Sequence, residues 1–249
     1  MSDILLPPPP ADLLTNASLF LDFDGTLVEI AATPDAVSVS DVLRQLLRDL
    51  QARMDGRVAI VSGRSVAEIA ALLDPVALTI AGSHGLEIAT ADGSVETPER
   101  TAGIDTALAT LQDFASSRPG VLVEDKPFGV GLHYRLAPDQ EADARALAAA
   151  LADEHGLHLQ LGKMVAELRL PGGDKGSALK ALMAEPGRVA TRPVFMGDDV
   201  TDEAAFAAAC ELGGAGILIG PARHTHALYR LDDVPAALGW LRRCAEALA

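Results

Sequence analysis

Five short, almost unbroken apolar runs punctuate the chain: Leu19-Phe20-Leu21, Val58-Ala59-Ile60-Val61, Leu78-Thr79-Ile80-Ala81, Pro193-Val194-Phe195-Met196 and Gly216-Ile217-Leu218-Ile219. Runs this short that do not alternate with polar residues predict strands covered on both faces, as in a parallel sheet. Between them the period becomes helical. Ser40 to Leu47 repeats apolar residues at helix spacing, Ser65-Val66-Ala67-Glu68 has capping-box spacing ahead of Ile69 to Leu73, and Glu203 to Cys210 predicts a further helix. Strand, polar turn and helix alternate, so the fold class expected is α/β with a Rossmann-like parallel-sheet core.

Between about Pro98 and Gly173 the rhythm differs. Helices are predicted near Ile104 to Ser116 and Gln140 to Glu154, each followed by two strands: Val121 to Glu124 and Val130 to Arg135, then Leu157 to Leu161 and Met164 to Leu170. Alternating apolar and polar positions in an αββαββ order predict an antiparallel sheet with helices on one face. The expected domains are a core of residues 19–97 and 174–249 and an inserted α+β domain of residues 98–173. Residues 1–18, with Pro7 to Pro10 as a polyproline segment, are expected to be a flexible lead-in.

Composition narrows the function. A formal net charge of −15 over 249 residues excludes nucleic acid and anionic membrane as partners. An anionic substrate would have to be held by a few local cations or a metal. No uninterrupted apolar stretch reaches the ~18 residues of a membrane span, and no export signal is recognisable. Cys210 and Cys244 lack metal-ligand spacing and read as reduced thiols, so a cytoplasmic protein is expected.

The stretch LFLDFDGTLVEI, Leu19 to Ile30, places two carboxylates after a buried strand. Residues two apart in an extended chain point the same way, so Asp22 and Asp24 face one spot. A turn signal, Gly25-Thr26, accounts for one aspartate, but two like charges in a partly desolvated place repel unless a cation or a proton intervenes. Ligands of open parallel sheets bind beyond the carboxyl ends of the strands, and Ser62, Lys175 and Asp198-Asp199 fall at such ends too. Carboxylates from two strands suit Mg²⁺, with Asp22, the backbone carbonyl of Asp24, and Asp198 as ligands. Asp22 would be a nucleophile and Asp24 an acid/base, while Ser62 and Lys175 would hold phosphoryl oxygens. Asp199 and Asp202 read equally well as helix-start acids.

Asp22-Phe23-Asp24-Gly25-Thr26, Ser62, Lys175 and Gly197-Asp198-Asp199-Val200-Thr201-Asp202 are similar, in type and order, to the four motifs of the haloacid dehalogenase superfamily. Aspartate two residues after the nucleophile resembles its phosphatases and phosphomutases. The inserted domain resembles the superfamily's cap. From Leu19 to about Leu241 the chain resembles trehalose-6-phosphate phosphatases in particular, through Val61-Ser62-Gly63-Arg64, Gly82-Ser83-His84-Gly85-Leu86-Glu87, Gly162 to Arg169 and Gly173-Asp174-Lys175-Gly176.

That resemblance implies Mg²⁺-dependent release of trehalose and phosphate through an aspartyl phosphate. It also implies substrate contacts from Gly63, Arg64 and His84, and from Glu124, Lys126, Arg135, Lys163 and Glu167 of the cap. Lys163 and Glu167 are four apart, the spacing that keeps both on one face of a strand. His133, beside these on the cap strands, is a further candidate. The expected substrate is a small sugar phosphate, the expected state a monomer, and the expected partner in function a trehalose-6-phosphate synthase. The alternatives are a phosphatase of another sugar phosphate and a non-catalytic sugar-phosphate sensor, which should lack Asp22 or Asp24.

Overall fold

The computed structural model describes residues 6–31, 36–91 and 93–248. Contacts divide the chain into two compact units, Met1–Glu96 with Gly173–Ala249, and Thr97–Gly172.

The larger unit begins with β1 (Ala17–Leu21), α1 (Asp41–Arg53), β2 (Val58–Val61), α2 (Val66–Leu73), β3 (Thr79–Gly82), β4 (Glu87–Ala89) and β5 (Val95–Glu96). The smaller unit follows with α3 (Ala102–Ser116), β6 (Leu122–Lys126), β7 (Gly129–His133), α4 (Glu141–His155), β8 (His158–Gly162) and β9 (Val165–Arg169). The chain then returns to the larger unit through α5 (Lys175–Met183), β10 (Arg192–Gly197), α6 (Glu203–Glu211), β11 (Ala215–Ile219), β12 (Tyr229–Leu231) and α7 (Val234–Ala247).

The larger sheet has eight strands in the order β12-β11-β10-β1-β2-β3-β4-β5, parallel from β12 to β3 and antiparallel at β4 and β5. Strands β1, β2, β3, β10 and β11 are buried on both faces, which explains the unbroken apolar runs. Leu19, Leu21, Ile60, Val194 and Met196 face a core completed by Leu47 and Leu50 of α1, Ile69 of α2 and Trp240 of α7. Phe20, Val61, Phe195 and Leu218 face the opposite core, with Leu179 of α5 and Phe206 of α6. Burying one such leucine or phenylalanine contributes roughly 1.5–3 kcal/mol. Both predicted helix starts in the first half are capped by side chains: the Ser40 hydroxyl accepts from Leu43 N, and Ser65 and Glu68 form the expected capping box.

From β1 the chain proceeds to β2 and β3 on one side, whereas the returning β10 and β11 lie on the other. The order therefore reverses between β1 and β10, where open α/β sheets leave a crevice at their carboxyl edge. Leu21 pairs with Met196, and Asp22 N donates to Met196 O at 2.9 Å. Asp22 and Asp198, the residues that leave these two strands, thus emerge side by side.

The smaller unit's sheet is antiparallel, in the order β6-β7-β9-β8. Val130, Leu132, Ala166 and Leu168 are buried on the face packed by α3 and α4, through Ile104, Ala107, Leu111, Ala144 and Ala148. The other face carries Glu124, Lys126, His133 and Glu167.

Two expectations need correction. The lead-in is not a loose tail from residue 6 onward. Leu14 is buried, Arg230 N donates to Pro7 O at 3.0 Å, and the Trp240 indole N–H donates to Pro10 O at 3.4 Å. Prolines give up a donor but keep a carbonyl acceptor, and β12 and α7 supply donors for it. Residues 1–5 of that segment lie outside the described residues. Lys163 does not share a strand face with Glu167: it lies in the hairpin turn before β9, next to Met164 at φ 65°. No helix among the described residues is long and apolar enough to cross a membrane.

Candidate active site

At the β1–β10 crevice, carboxylate oxygens of Asp22, Asp198 and Asp202 lie within 4.8 Å of one another. Lys175 opens α5, whose N-terminus is capped by Asp174 with Ser177. Its Nζ donates to Asp22 Oδ1 at 2.7 Å and to Asp202 Oδ1 at 2.6 Å. An ammonium in a helix's first turn opposes the macrodipole, and these two carboxylates outweigh that opposition. Asp22, Lys175 and Asp202 are all buried, with Asp202 fully so. Asp202 sits in the short turn Val200–Asp202, where its Oδ2 accepts from Asp199 N at 2.9 Å. Asp199 caps the same turn from an exposed position, its Oδ1 accepting from Val200 N at 2.7 Å.

Gly25 lets this cluster close. It adopts φ +79°, and a Cβ there would lie 2.2 Å from Asp198 Oδ2. Any side chain at position 25 would push Asp198 out of the group.

The electrostatics are unbalanced toward negative charge: three carboxylates share one ammonium. Burial raises the Asp22 carboxyl well above its ordinary range; Lys175 opposes the rise, and the charges of Asp202 and Asp198 add to it. Burial, then Asp202 and Asp199, push Asp198 up to about 6. For Lys175, burial would lower the value, but Asp202 and Asp22 overcome it and raise it. Oxygen donors alone, converging with surplus charge, fit a hard divalent cation such as Mg²⁺, which Asp22, Asp198 and Asp202 could hold.

The Asp24 carboxylate is not in this group. It accepts two hydrogen bonds from Arg64, Nε to Oδ2 at 2.6 Å and Nη2 to Oδ1 at 2.8 Å. A side-chain role for Asp24 in the metal cluster is thereby set aside; the expectation concerned its backbone carbonyl. Ser62 is buried at the end of β2, where its Oγ accepts from Arg64 N at 3.1 Å and its carbonyl accepts from His84 N at 2.9 Å. His84 packs its ring against Gly63 within a tight turn after β3, at φ 58°. Glu87, buried, accepts from Val66 N and from the Ser83 hydroxyl, which ties that turn to the start of α2.

In the smaller unit, β6, β7 and β9 align Glu124, Gly131 and Glu167 in one row. Lys126 Nζ donates to Glu167 Oε2 at 2.7 Å, with Glu124 Oε2 3.9 Å away, and His133 Nε2 lies 2.8 Å from the same Glu124 oxygen. Gly131 leaves the space that Glu124 and His133 occupy, since a Cβ there would be 3.2 Å from both. Arg135 and Lys163 are exposed and adjacent, Arg135 Nη2 reaching Lys163 O at 3.5 Å.

Sequence reasoning left Asp202 undecided. Its pattern equals that of a helix-start acid, and the signal that separates the two uses is Lys175, which is 27 positions away. The Arg64–Asp24 pair, 40 positions apart, had no signal in spacing at all.

The chain is 40% identical over 238 residues to a probable trehalose-phosphate phosphatase of Sinorhizobium fredii, covering 95% of this chain and 89% of that protein. It is 38% identical over 242 residues to the trehalose-6-phosphate phosphatase of Escherichia coli, covering 95% and 90%. A haloacid dehalogenase-like hydrolase from B. subtilis shares the fold, with a TM-score of 0.62 at 18% identity over 90% of this chain and 99% of that one. With residues 20–235 matching the family described as Trehalose-phosphatase, from the first strand through the start of the last helix, the chain belongs to that family of phosphatases.

Proposed function

We propose that the protein hydrolyses trehalose 6-phosphate to trehalose and phosphate with Mg²⁺ as cofactor and Asp22 as nucleophile. The observation that carries this reading is the buried Asp22 carboxylate, oriented by Lys175 at 2.7 Å and grouped with Asp198 and Asp202. The named relatives supply the substrate.

Lys175 holds Oδ1 of Asp22, which directs the other carboxylate oxygen toward an incoming phosphorus. That oxygen bonds to phosphorus as the bond to the sugar oxygen breaks, and Asp24 gives its proton to the departing sugar. Asp24 then takes a proton from the water that attacks the aspartyl phosphate, releasing phosphate and restoring the Asp22 carboxylate. Ser62, at the neighbouring strand end, offers a hydroxyl to phosphoryl oxygen. Mg²⁺, held by Asp22, Asp198 and Asp202, supplies positive charge to offset the carboxylates and the phosphoryl oxygens.

Phosphate release over a panel of sugar phosphates, with and without EDTA, tests this directly. Trehalose 6-phosphate should exceed glucose 6-phosphate in kcat/KM by roughly tenfold or more, and exhaustive chelation should abolish both. Equal turnover of the two would reassign the substrate; full activity in EDTA would remove the metal.

Acid should weaken Mg²⁺ binding. Asp198 holds its proton up to about pH 6, above the ordinary 3.8, so folding takes up a proton between those values. This group therefore favours the metal-free fold more as pH falls through 6. Mg²⁺ must displace the same proton, so its affinity should drop by up to about tenfold per pH unit below that point. Thermal unfolding with and without Mg²⁺ should show a stabilisation at pH 7.5 that fades toward pH 5; a constant increment would place the ion elsewhere.

The polar sheet face of the smaller unit is proposed to bind the sugar, through Glu124, Lys126, His133 and Glu167 with Arg135 and Lys163 nearby. Glu167→Ala should lower kcat/KM for trehalose 6-phosphate by roughly ten- to a hundredfold. The loss with p-nitrophenyl phosphate, which has no sugar, should be smaller. Equal losses would make Glu167 a support for the unit's fold.

A further inference from the structure

We propose that Arg64 is the positioning residue of the Asp24 carboxylate, its guanidinium fork fixing the plane and direction from which Asp24 meets the leaving-group oxygen. The inference rests on Asp24 being the acid/base group.

Asp24 needs such a partner. Its side chain is 35% exposed, far more open than that of Asp22 at 6%. A carboxylate in that position can rotate toward water, whereas proton transfer requires it within hydrogen-bond reach of one atom. Arg64 removes that freedom. Bonds of 2.6 and 2.8 Å from Nε and Nη2 engage both oxygens at once, which a point charge cannot do. Each carboxylate oxygen still has a lone-pair direction for exchanging a proton.

The fork itself is held. Arg64 N donates to Ser62 Oγ at 3.1 Å, and Arg64 O accepts from Ser83 N at 2.8 Å, so the residue is tied at both ends of its backbone. Its guanidinium carbon lies 5.9 Å from the ring centroid of Phe23, the buried residue between the two aspartates. On the other side, Asp24 bridges to Val28, and Gly25 N donates to Val28 O at 2.7 Å, which sets the turn from which the carboxylate projects. Two backbones fixed by their own bonds therefore present a two-pronged donor to a two-pronged acceptor. Displacing a reacting group by about 1 Å can cost on the order of a hundredfold in rate.

The test is a leaving-group series of substituted phenyl phosphates, from p-nitrophenyl to p-methoxyphenyl, none carrying a sugar. kcat/KM is measured for the wild type, Asp24→Asn, Arg64→Gln, Arg64→Lys and the Asp24→Asn/Arg64→Gln double variant. Loss of the proton donor should make the rate depend more steeply on leaving-group basicity. Asp24→Asn should therefore steepen the series, and Arg64→Gln should steepen it in the same sense, its loss growing by roughly ten- to a hundredfold from the least to the most basic member. The double variant should be no steeper than Asp24→Asn, and Arg64→Lys should recover only part of the loss. If Asp24→Asn leaves the slope unchanged, the acid assignment fails and this inference with it. A steepened series in Asp24→Asn beside a uniform loss in Arg64→Gln would overturn the Arg64 role alone, as would full recovery by lysine or multiplicative losses in the double variant.

Discussion

Asp22→Asn should abolish phosphate release while leaving the metal-free fold at least as stable as the wild type. An amide has nearly the carboxylate's shape and keeps an oxygen that can accept from Lys175 in place of Oδ1. It is a very poor nucleophile, however, and removing a nucleophile that acts with its partners costs on the order of 10⁴-fold or more in kcat. The stability half of the expectation follows from the sign of the carboxyl's shift. Burial holds Asp22 well above its ordinary range, so folding disfavours its ionised form, and the neutral amide escapes that cost. Thermal unfolding in EDTA should therefore show an equal or higher midpoint, and the added stabilisation by Mg²⁺ should shrink. Activity within tenfold of wild type would sink the nucleophile assignment. A midpoint lowered by many degrees would make Asp22 a structural residue.

Lys175→Met is the substitution expected to damage stability most. It leaves the carboxylates of Asp22 and Asp202 buried without the ammonium that both now hold at 2.7 and 2.6 Å. Breaking a buried pair in this way typically costs about 3–5 kcal/mol, because the stranded charge is not resolvated. In the wild type, Lys175 is raised above its ordinary 10.5, so its contribution is complete below that pH and is lost only as pH rises beyond it. In the variant, Asp22 loses the ammonium that opposes its rise, so its carboxyl moves further above its unfolded value, folding takes up a proton and the deficit should narrow as the solution is acidified. Denaturant unfolding at pH 8 and pH 5 checks both statements. A deficit below about 1 kcal/mol at pH 8, or one that widens at pH 5, would mean that Lys175 is not what balances this cluster.

The parallel core was legible because burial on two faces leaves a direct mark: a run such as Val58 to Val61 has no polar position to spare. The same rule explains what escaped notice. The strands at Glu87–Ala89, Val95–Glu96 and Tyr229–Leu231 are two or three residues long and lie toward the sheet's edges, so neither period nor composition sets them apart from loop. In the smaller unit, alternation in Val130 to His133 and Val165 to Arg169 disclosed both an apolar and a polar face, because Val130, Leu132, Ala166 and Leu168 take every second position of these strands and are all buried. The turn at Lys163 broke that alternation, and a spacing of four from Glu167 did not place the two on one face.

At the crevice, residue type and local order were enough to single out Asp22, Lys175 and Asp198 as polar groups at strand or helix ends, since their neighbours in the chain state that position. Which of them touch was a matter of sheet order. β10 returns beside β1, and this brings Asp198 to Asp22 and lets Lys175 lie between Asp22 and Asp202. Asp24 looks identical to Asp22 in an extended chain, yet the turn at Gly25 and the clamp of Arg64 direct it elsewhere. The proline-rich start likewise carries no local sign of order; its acceptors meet donors more than two hundred positions away, on β12 and α7. Periodicity and capping are short-range consequences of burial and backbone geometry, so the linear order of residues contains them. Pairing between charges is set by which elements the folded chain makes neighbours, and that emerges only once the sheet is assembled.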